Sequence, residues 1–340
     1  MKVLIFSFFI LFLYGCAEVN VKKVYIPDIP GYVTLKGDFH LHTEFSDGKV
    51  WPTVRVDEAV EEGLDVIAIT DHIEYRKILK LIPRDHNRSY EITKSYALKK
   101  NILLVKGTEI NRAIPPGHFN ALFITDADAL DKNDFKEAVS EAKRQGGFIV
   151  WNHPGLRSQN PVVSKWFDIH TWLYDHKMLN GIEIYNHTKY YPKAFEWALA
   201  KNLTIFSNTD NHYRIRHDYD LVNSHRPMTL VFAKERTLEG VKEALVEGRT
   251  ASFVGQMVRG NEKWLRPLFL ACVKCSRKGD KIELANQSGI SFDIEENSGT
   301  GVKKIFLKEK MTLTIDARDK VILKIRNFEI APGKNLDIEL

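Results

Sequence analysis

Two histidines two residues apart, His40 and His42, can present both imidazoles to one metal ion if they lie on a strand, because alternate side chains share a face. Asp47 follows five residues later, in Ser46-Asp47-Gly48. Further along come His72 in Thr70-Asp71-His72, Glu109 in Gly107-Thr108-Glu109, His118, His153 in Asn152-His153-Pro154, and the pair Asp210 and His212. Six imidazoles and three carboxylates make a mixed nitrogen and oxygen donor set, which suits zinc, manganese or iron better than calcium or copper(I). Three protein ligands per ion leave a position open for water, as catalytic centres require. Nine donors are too many for one tetrahedral ion. Taken singly, each histidine is more simply a hydrogen-bonded polar residue; the joint pattern resists that reading. All 12 histidines lie between His40 and His225 and none in the last 115 residues, so imidazole chemistry belongs to the first two thirds of the chain.

Positioning these residues falls to strands. From Tyr32 to about Phe253, strand-like runs alternate with helical patterns, which predicts βα units around a parallel sheet. The runs end in Phe39-His40-Leu41-His42, Ala68 to His72, Val105 to Glu109, Ile149 to His153, Ile182 to Asn186 and Ile205 to Asp210. Almost every run terminates in His, Asp or Glu, and in β/α barrels the site is built at the carboxyl ends of the strands. The helices are punctuated clearly. Pro52 opens one and Gly63 closes it; Phe135, Ala138, Val139 and Ala142 share a face of another; Thr237 caps a third that ends before Gly248. From about Pro267 onward the pattern changes to period two, with Ile290-Phe292-Ile294, Leu313-Ile315 and Val321-Leu323-Ile325 each lining one face. The fold class expected is α/β: a (β/α) barrel over 32–266, followed by a small all-β, sandwich-like domain over 267–340.

Composition narrows the classes. With 44% hydrophobic and 27% charged residues the chain reads as globular with a sizeable core, which excludes collagen, coiled coil and a polytopic membrane protein. Lys plus Arg exceed Asp plus Glu by 49 − 44 = +5 without any basic run, so no stable nucleic-acid partner is expected. Cys16, Cys272 and Cys275 are too few for a disulfide scaffold. Lys2 precedes an apolar run, Val3–Tyr14, too short to span a bilayer core of about 30 Å as a helix. Leu13-Tyr14-Gly15-Cys16 resembles the lipobox of bacterial lipoproteins, which implies a signal peptide over 1–15, lipidation at Cys16 and a tether over 16–31. The protein would then sit in the bacterial cell envelope, membrane-anchored, with Ala17 after the cysteine favouring the outer membrane. Oligomeric state is not legible.

The motifs Asp38-Phe39-His40-Leu41-His42-Thr43, Ser46-Asp47-Gly48, Thr70-Asp71-His72, Gly107-x-Glu109, Asn152-His153-Pro154 and Asp210-x-His212 also resemble, in order, those of the polymerase and histidinol phosphatase (PHP) superfamily, over Tyr32 to Phe253. The signal peptide and the Trp51-Pro52 helix start are most similar to its secreted bacterial phosphodiesterases. The resemblance implies a distorted seven-stranded barrel and two or three divalent ions (zinc, manganese or iron) that support phosphoester hydrolysis. It would place one ion on His40, His42, Glu109 and Asp210, a second on Glu109, His118 and His153, and a third on Asp47, His72 and His212. Some relatives have a third histidine where this chain has Asp47. Glu109 and Asp210 would be the catalytic carboxylates. No Gly-x-Ser-x-Gly or Gly-x-x-x-x-Gly-Lys occurs, so water, activated by the metals, is the expected nucleophile. Arg76, His86, Arg88 and Arg214 are the expected contacts to a small phosphoester, since guanidinium forks match phosphate oxygens. The expected function is a metal-dependent phosphodiesterase; the alternatives are a phosphomonoesterase on a small phosphorylated metabolite and a non-catalytic metal-containing binding lipoprotein.

Overall fold

The structure, a computed structural model, describes residues 20–74, 85–156, 164–298, 301–316 and 320–340. Its first part runs β1 (Val33–Leu41), α1 (Pro52–Glu62), β2 (Val66–Ile69), α2 (Arg88–Lys99), β3 (Leu103–Asn111), β4 (His118–Leu122), α3 (Phe135–Arg144), β5 (Phe148–Trp151), α4 (Asp168–Asp175) and β6 (Gly181–Asn186). It continues through β7 (Lys189–Tyr190), α5 (Pro192–Lys201), β8 (Thr204–Asn208), α6 (Ile215–Asp218), β9 (Met228–Ala233) and α7 (Leu238–Val246). Then come β10 (Thr250–Val254), β11 (Met257–Gly260), α8 (Glu262–Cys272), β12 (Val273–Lys278), β13 (Lys281–Asn286), β14 (Phe292–Ser298), β15 (Gly301–Leu307), β16 (Thr312–Asp316), β17 (Ile322–Ala331) and β18 (Lys334–Glu339).

The three helices with clear punctuation form where the sequence places them. Pro52 opens α1, and Gly63 ends it in the left-handed conformation at φ 72° that a Cβ would oppose. Thr237 caps α7 by accepting the Gly240 N–H. Val56 and Ala59 of α1, and Val241 and Leu245 of α7, are fully buried.

Among the described residues, fifteen strands join one mixed sheet in the order β15-β14-β17-β11-β10-β9-β1-β2-β3-β4-β5-β6-β7, with β8 on β6 and β18 on β17. β1, β2 and β3 run parallel, as do β5, β6 and β8. The βα alternation is interrupted once in that wall. β4 is antiparallel to both β3 and β5, forming a hairpin that pairs Asn111 with His118 and Glu109 with Asn120. β8 comes back beside β1 through a Leu41–Asn211 bridge and a Phe39 N–H that donates to Asn208 Oδ1 at 2.9 Å. One core cluster is formed by Leu35, Phe39, Val66, Ala68, Val105, Leu122, Phe148, Val150 and Phe206, with Val241 and Leu245 of α7 packed on them. Crowding there explains Gly37, because a Cβ would stand 2.5 Å from the Phe39 ring and 2.9 Å from Val66.

Two expected boundaries shift. The break at 266/267 falls inside α8, which runs to Cys272 with Pro267 in its interior. Leu265, Leu268, Phe269 and Cys272 lie three and four apart and are all fully buried, so burial of one helical face outweighs the proline. Beyond it, β12, β13 and β16 form a separate three-stranded sheet, but β17 pairs in parallel with β11 and so extends the main sheet. Phe269 packs edge-on against Phe292 and Phe328, giving both parts one continuous core. Part of the stretch expected as a tether, 16–31, belongs to the folded body. Val24, Ile26 and Ile29 are buried in that same core, Lys22 N–H donates to Leu221 O, and Gly289 N–H donates to Tyr25 O. The signal peptide and Cys16 lie outside the described residues.

Candidate metal centre

All nine expected ligands meet at one place, at or just beyond the carboxyl ends of β1, β2, β3, β5 and β8, with His118 added by the start of β4. His40 Nε2 and His42 Nε2 are 3.1 Å apart, and Asp210 Oδ1 lies 3.2 and 3.0 Å from them. Glu109 is central. Its Oε1 lies 3.6 Å from His40 Nε2, 3.4 Å from His118 Nδ1 and 3.5 Å from His153 Nε2, while its Oε2 lies 3.5 Å from His42 Nε2 and 2.8 Å from His72 Nδ1. Asp47 Oδ1 faces His72 Nε2 at 3.6 Å and His212 Nε2 at 3.1 Å. Three sets have mutually close donor atoms: His40–His42–Asp210, His40–Glu109–His153, and His42–Asp47–His72–His212. The spatial grouping therefore adds His42 to the expected third set and His40 to the second. His118 joins through Glu109 and sets its ring edge-on to that of His153. His153 and Asp210 hold left-handed backbone angles, φ 29° and 53°; such non-glycine conformations cost about 1–3 kcal/mol and collect at functional sites.

Behind the ligands stands a buried shell that sequence reasoning missed. Glu183 of β6 accepts from His40 Nδ1 at 2.9 Å, from the His153 N–H at 2.7 Å, and from the side-chain amides of Asn186 and Asn208. That contact fixes the proton on His40 Nδ1 and turns Nε2 toward the cluster. Asn152 donates to Glu109 Oε1 at 2.8 Å. Asp71 accepts from the Thr43 N–H, Thr43 Oγ1 and Ser46 Oγ, which shapes the loop that carries Asp47. Asp38 accepts from Thr209 and pairs with buried Arg226, itself held by Glu62. One signal was legible: Glu183 is a lone charge between Ile182 and Ile184 in an otherwise uncharged strand.

The electrostatics are those of a site that prefers cations. Burial opposes charge on Glu109, but the neighbouring His72 and His40 hold its carboxyl well below the usual range. Asp210 and Asp47 are likewise pulled down against burial, by His40 and His42 in one case and by His212 and His72 in the other. Burial also opposes protonation of His72, yet Glu109 and Asp47 raise it to about 10. His42 moves the other way, to about 3, through burial and the adjacent His212 and His72. The carboxylates stay anionic and favour protons on His40, His72, His153 and His212, sites that divalent cations can take over.

The expected substrate contacts, Arg76 apart, lie on two segments, around the start of α2 and just before α6. Arg76 is not among the described residues. His86 is bound into an acidic turn, its N–H donating to Asp128 Oδ1 and its ring 3.4 Å from Asp131. Arg88 is exposed as the first residue of α2 rather than a loop residue, and Arg214 is exposed immediately before α6. Sequence reasoning passed over another cation: Lys189 Nζ donates to Gly155 O, two residues beyond His153.

Fold and site together define an α/β protein with a histidine and carboxylate metal centre at its strand ends. A model of the PHP domain matches residues 38–257. The chain belongs to the PHP family. A solved two-domain protein from Bacteroides vulgatus, containing a predicted PHP-like metal-dependent phosphoesterase, is similar along nearly its whole length: TM-score 0.90, 42% identity, 94% of this chain and 98% of that one covered. An uncharacterised protein of Methanocaldococcus jannaschii is 26% identical over 164 residues, 45% of this chain and 82% of that protein. The DNA polymerase/3'-5' exonuclease PolX of Bacillus subtilis is 29% identical over 85 residues, only 15% of its length.

Proposed function

We propose that this chain is a metal-dependent phosphoesterase, and more narrowly a phosphodiesterase with water as its nucleophile. The observation that carries the reading is Glu109, a fully buried carboxylate ringed by five imidazoles at 2.8–3.6 Å. Among the described residues, its Oε2 receives no well-aligned hydrogen bond and His153 Nδ1 has no partner. Five rings around one carboxylate exceed what hydrogen bonding can use, so the donor set fits divalent ions. Such ions lower the pKa of coordinated water and neutralise charge on phosphoryl oxygens.

The protein's own groups divide the remaining work. His40, His42 and Asp210 supply one set of donors; Glu109 with His118 and His153 supplies another; Asp47, His72 and His212 supply the third. Glu183 and the Asp210 carbonyl, which accepts from His212 Nδ1 at 2.8 Å, fix two ring tautomers so that Nε2 faces inward. Glu109 and Asp210 remain anionic next to the reacting phosphoryl group. Arg214, Lys189, Arg76, Arg88 and His86 are the candidate contacts for a substrate phosphate. The strands β1 to β6 with β8 form the wall of a distorted seven-stranded barrel in this reading, and Cys16 carries a lipid that holds the enzyme in the cell envelope.

The test pairs elemental analysis with hydrolysis of bis-p-nitrophenyl phosphate and p-nitrophenyl phosphate. Bound zinc, manganese or iron with faster diester turnover supports the proposal. Faster monoester turnover moves the assignment to a phosphomonoesterase. Fully loaded protein inert toward both classes would overturn the enzymatic reading.

A further inference from the structure

Arg55 of α1 is fully buried, and none of its hydrogen bonds goes to a ligand side chain. It donates instead to the backbone on which those ligands stand. Nε and Nη2 reach His42 O at 3.0 and 2.8 Å, Nη2 reaches Asn211 O at 2.7 Å, and Nη1 reaches Asn211 Oδ1 and Tyr213 O, both at 2.7 Å. Glu58 of the same helix balances the charge at 2.8 Å and accepts the Ile215 N–H with its other oxygen.

These carbonyls belong to two segments that no regular ladder joins. One leaves β1 and carries His42 and then Asp47; the other leaves β8 and carries His212 between Asn211 and Tyr213. Their direct backbone links are His42 N–H to Asn211 O at 3.1 Å and Lys49 N–H to His212 O at 2.6 Å. Without a guanidinium the His42 carbonyl would lose both of its Arg55 donors and the Asn211 and Tyr213 carbonyls one each, leaving the two segments without the group that bonds to both. Only a planar fork with several divergent N–H groups can serve both segments at once.

We propose that Arg55 is the positioning residue of the His42–Asp47–His72–His212 group, fixing the separation of its two segments and so the affinity of that group for a divalent ion. The proposal rests on the metal-centre reading above. It predicts selectivity, because the His40–Glu109–His153 group is oriented by Glu183 and Asn152 and takes no hydrogen bond from Arg55.

The experiment is zinc binding by equilibrium dialysis on metal-stripped protein, compared across Arg55→Lys, Arg55→Gln and Arg249→Lys. Arg249 is another buried arginine, bonded to Phe232 O and Glu243 rather than to the ligand segments, and controls for general loss of packing. Loss of an outer-shell partner lowers metal affinity about 10–100-fold. That loss is expected for one ion in Arg55→Lys, with the remaining zinc retained and Arg249→Lys unchanged. In a His212→Ala background, which already lacks that ion, Arg55→Lys should remove nothing further. Should Arg55→Gln fail to fold, the lysine variant decides.

Unaltered zinc binding in a folded Arg55→Lys protein, or an equal loss in Arg249→Lys, overturns the proposal. Wild-type protein that takes up no zinc, manganese or iron defeats the metal-centre reading instead. Hydrogen exchange then judges Arg55: faster exchange at the His42 and Lys49 amides in Arg55→Lys supports the bracket, and unchanged exchange refutes it.

Discussion

At the scale of single residues, Glu109 is the group on which most ligands converge, and its neutral isostere is the sharpest probe. Glu109→Gln keeps the shape but removes the anion that five imidazoles face, so turnover should fall by about two to four orders of magnitude while the fold persists. Steady-state kinetics with metal content on the same samples check this, and near-normal turnover would leave the histidines without a shared bridge. The titrations give a second expectation, for metal-free protein. His72 is raised from its ordinary 6.5 to about 10, so the stability it contributes is complete below pH 6.5 and is lost as pH rises toward 10. His42 is depressed to about 3, so the folded state loses ground as pH falls below 6.5. Thermal unfolding of the stripped protein should therefore show a maximum in Tm near pH 6.5 with a decline on the alkaline side. Loading with zinc should abolish that decline, because the ion replaces the proton on His72. An alkaline limb that persists in the loaded protein would separate His72 from metal binding.

At the scale of elements, strand ends place most of the ligands, and two connections decide the rest. The β3–β4 hairpin brings His118 back beside Glu109, and the return of β8 to β1 sets Asp210 and His212 against His42. α8 has the opposite role, joining regions that the period-two pattern separates. A chain ending at Arg266 would cut α8 after its fifth residue and strip β17 from β11, exposing Val258 and Leu265, which share a core with Phe292 and Phe328. Such a chain is expected to aggregate, whereas removal of α8 together with everything after it still leaves β11 without its parallel neighbour. Size-exclusion chromatography and circular dichroism distinguish the outcomes; a monomeric, cooperatively folded 20–266 fragment would show that the first part has a self-sufficient core.

At the scale of the whole molecule, the segment Lys22–Ile29 straps the two parts together, since it contacts Leu221 on one side and Gly289 on the other and buries three apolar side chains. Only the few residues between Cys16 and Lys22 are then left to span the distance from a lipid anchor to the folded body, at most ~3.6 Å each. In the lipoprotein reading the protein is held close to its membrane. Cys16→Ser should abolish lipid attachment and leave uncleaved precursor or unanchored protein. Metabolic labelling with palmitate reads this directly, and label that survives the substitution would end that reading.

The sequence by itself determined the ligands and their order. His-x-His, Thr-Asp-His, Asn-His-Pro and Asp-x-His report themselves, because metal chemistry restricts residue type and strand geometry restricts spacing. It determined as well the helices α1, α3 and α7, whose caps and apolar spacing are local signals. The inward rows of β14, β16 and β17 were readable for the same reason. What it left to tertiary structure is whatever depends on contacts between distant segments. Glu183 and Arg55 support His40 and His42 from 143 and 13 residues away, and neither belongs to a motif. The proline in α8 reads locally as a break and is overruled by burial of Leu265, Leu268 and Phe269. The antiparallel entry of β4 is set by its partners on both sides, a choice no window of the chain contains. Donor chemistry is written in residue identity and short spacing, but the distances that make nine donors into one centre come from long-range packing and hydrogen bonding.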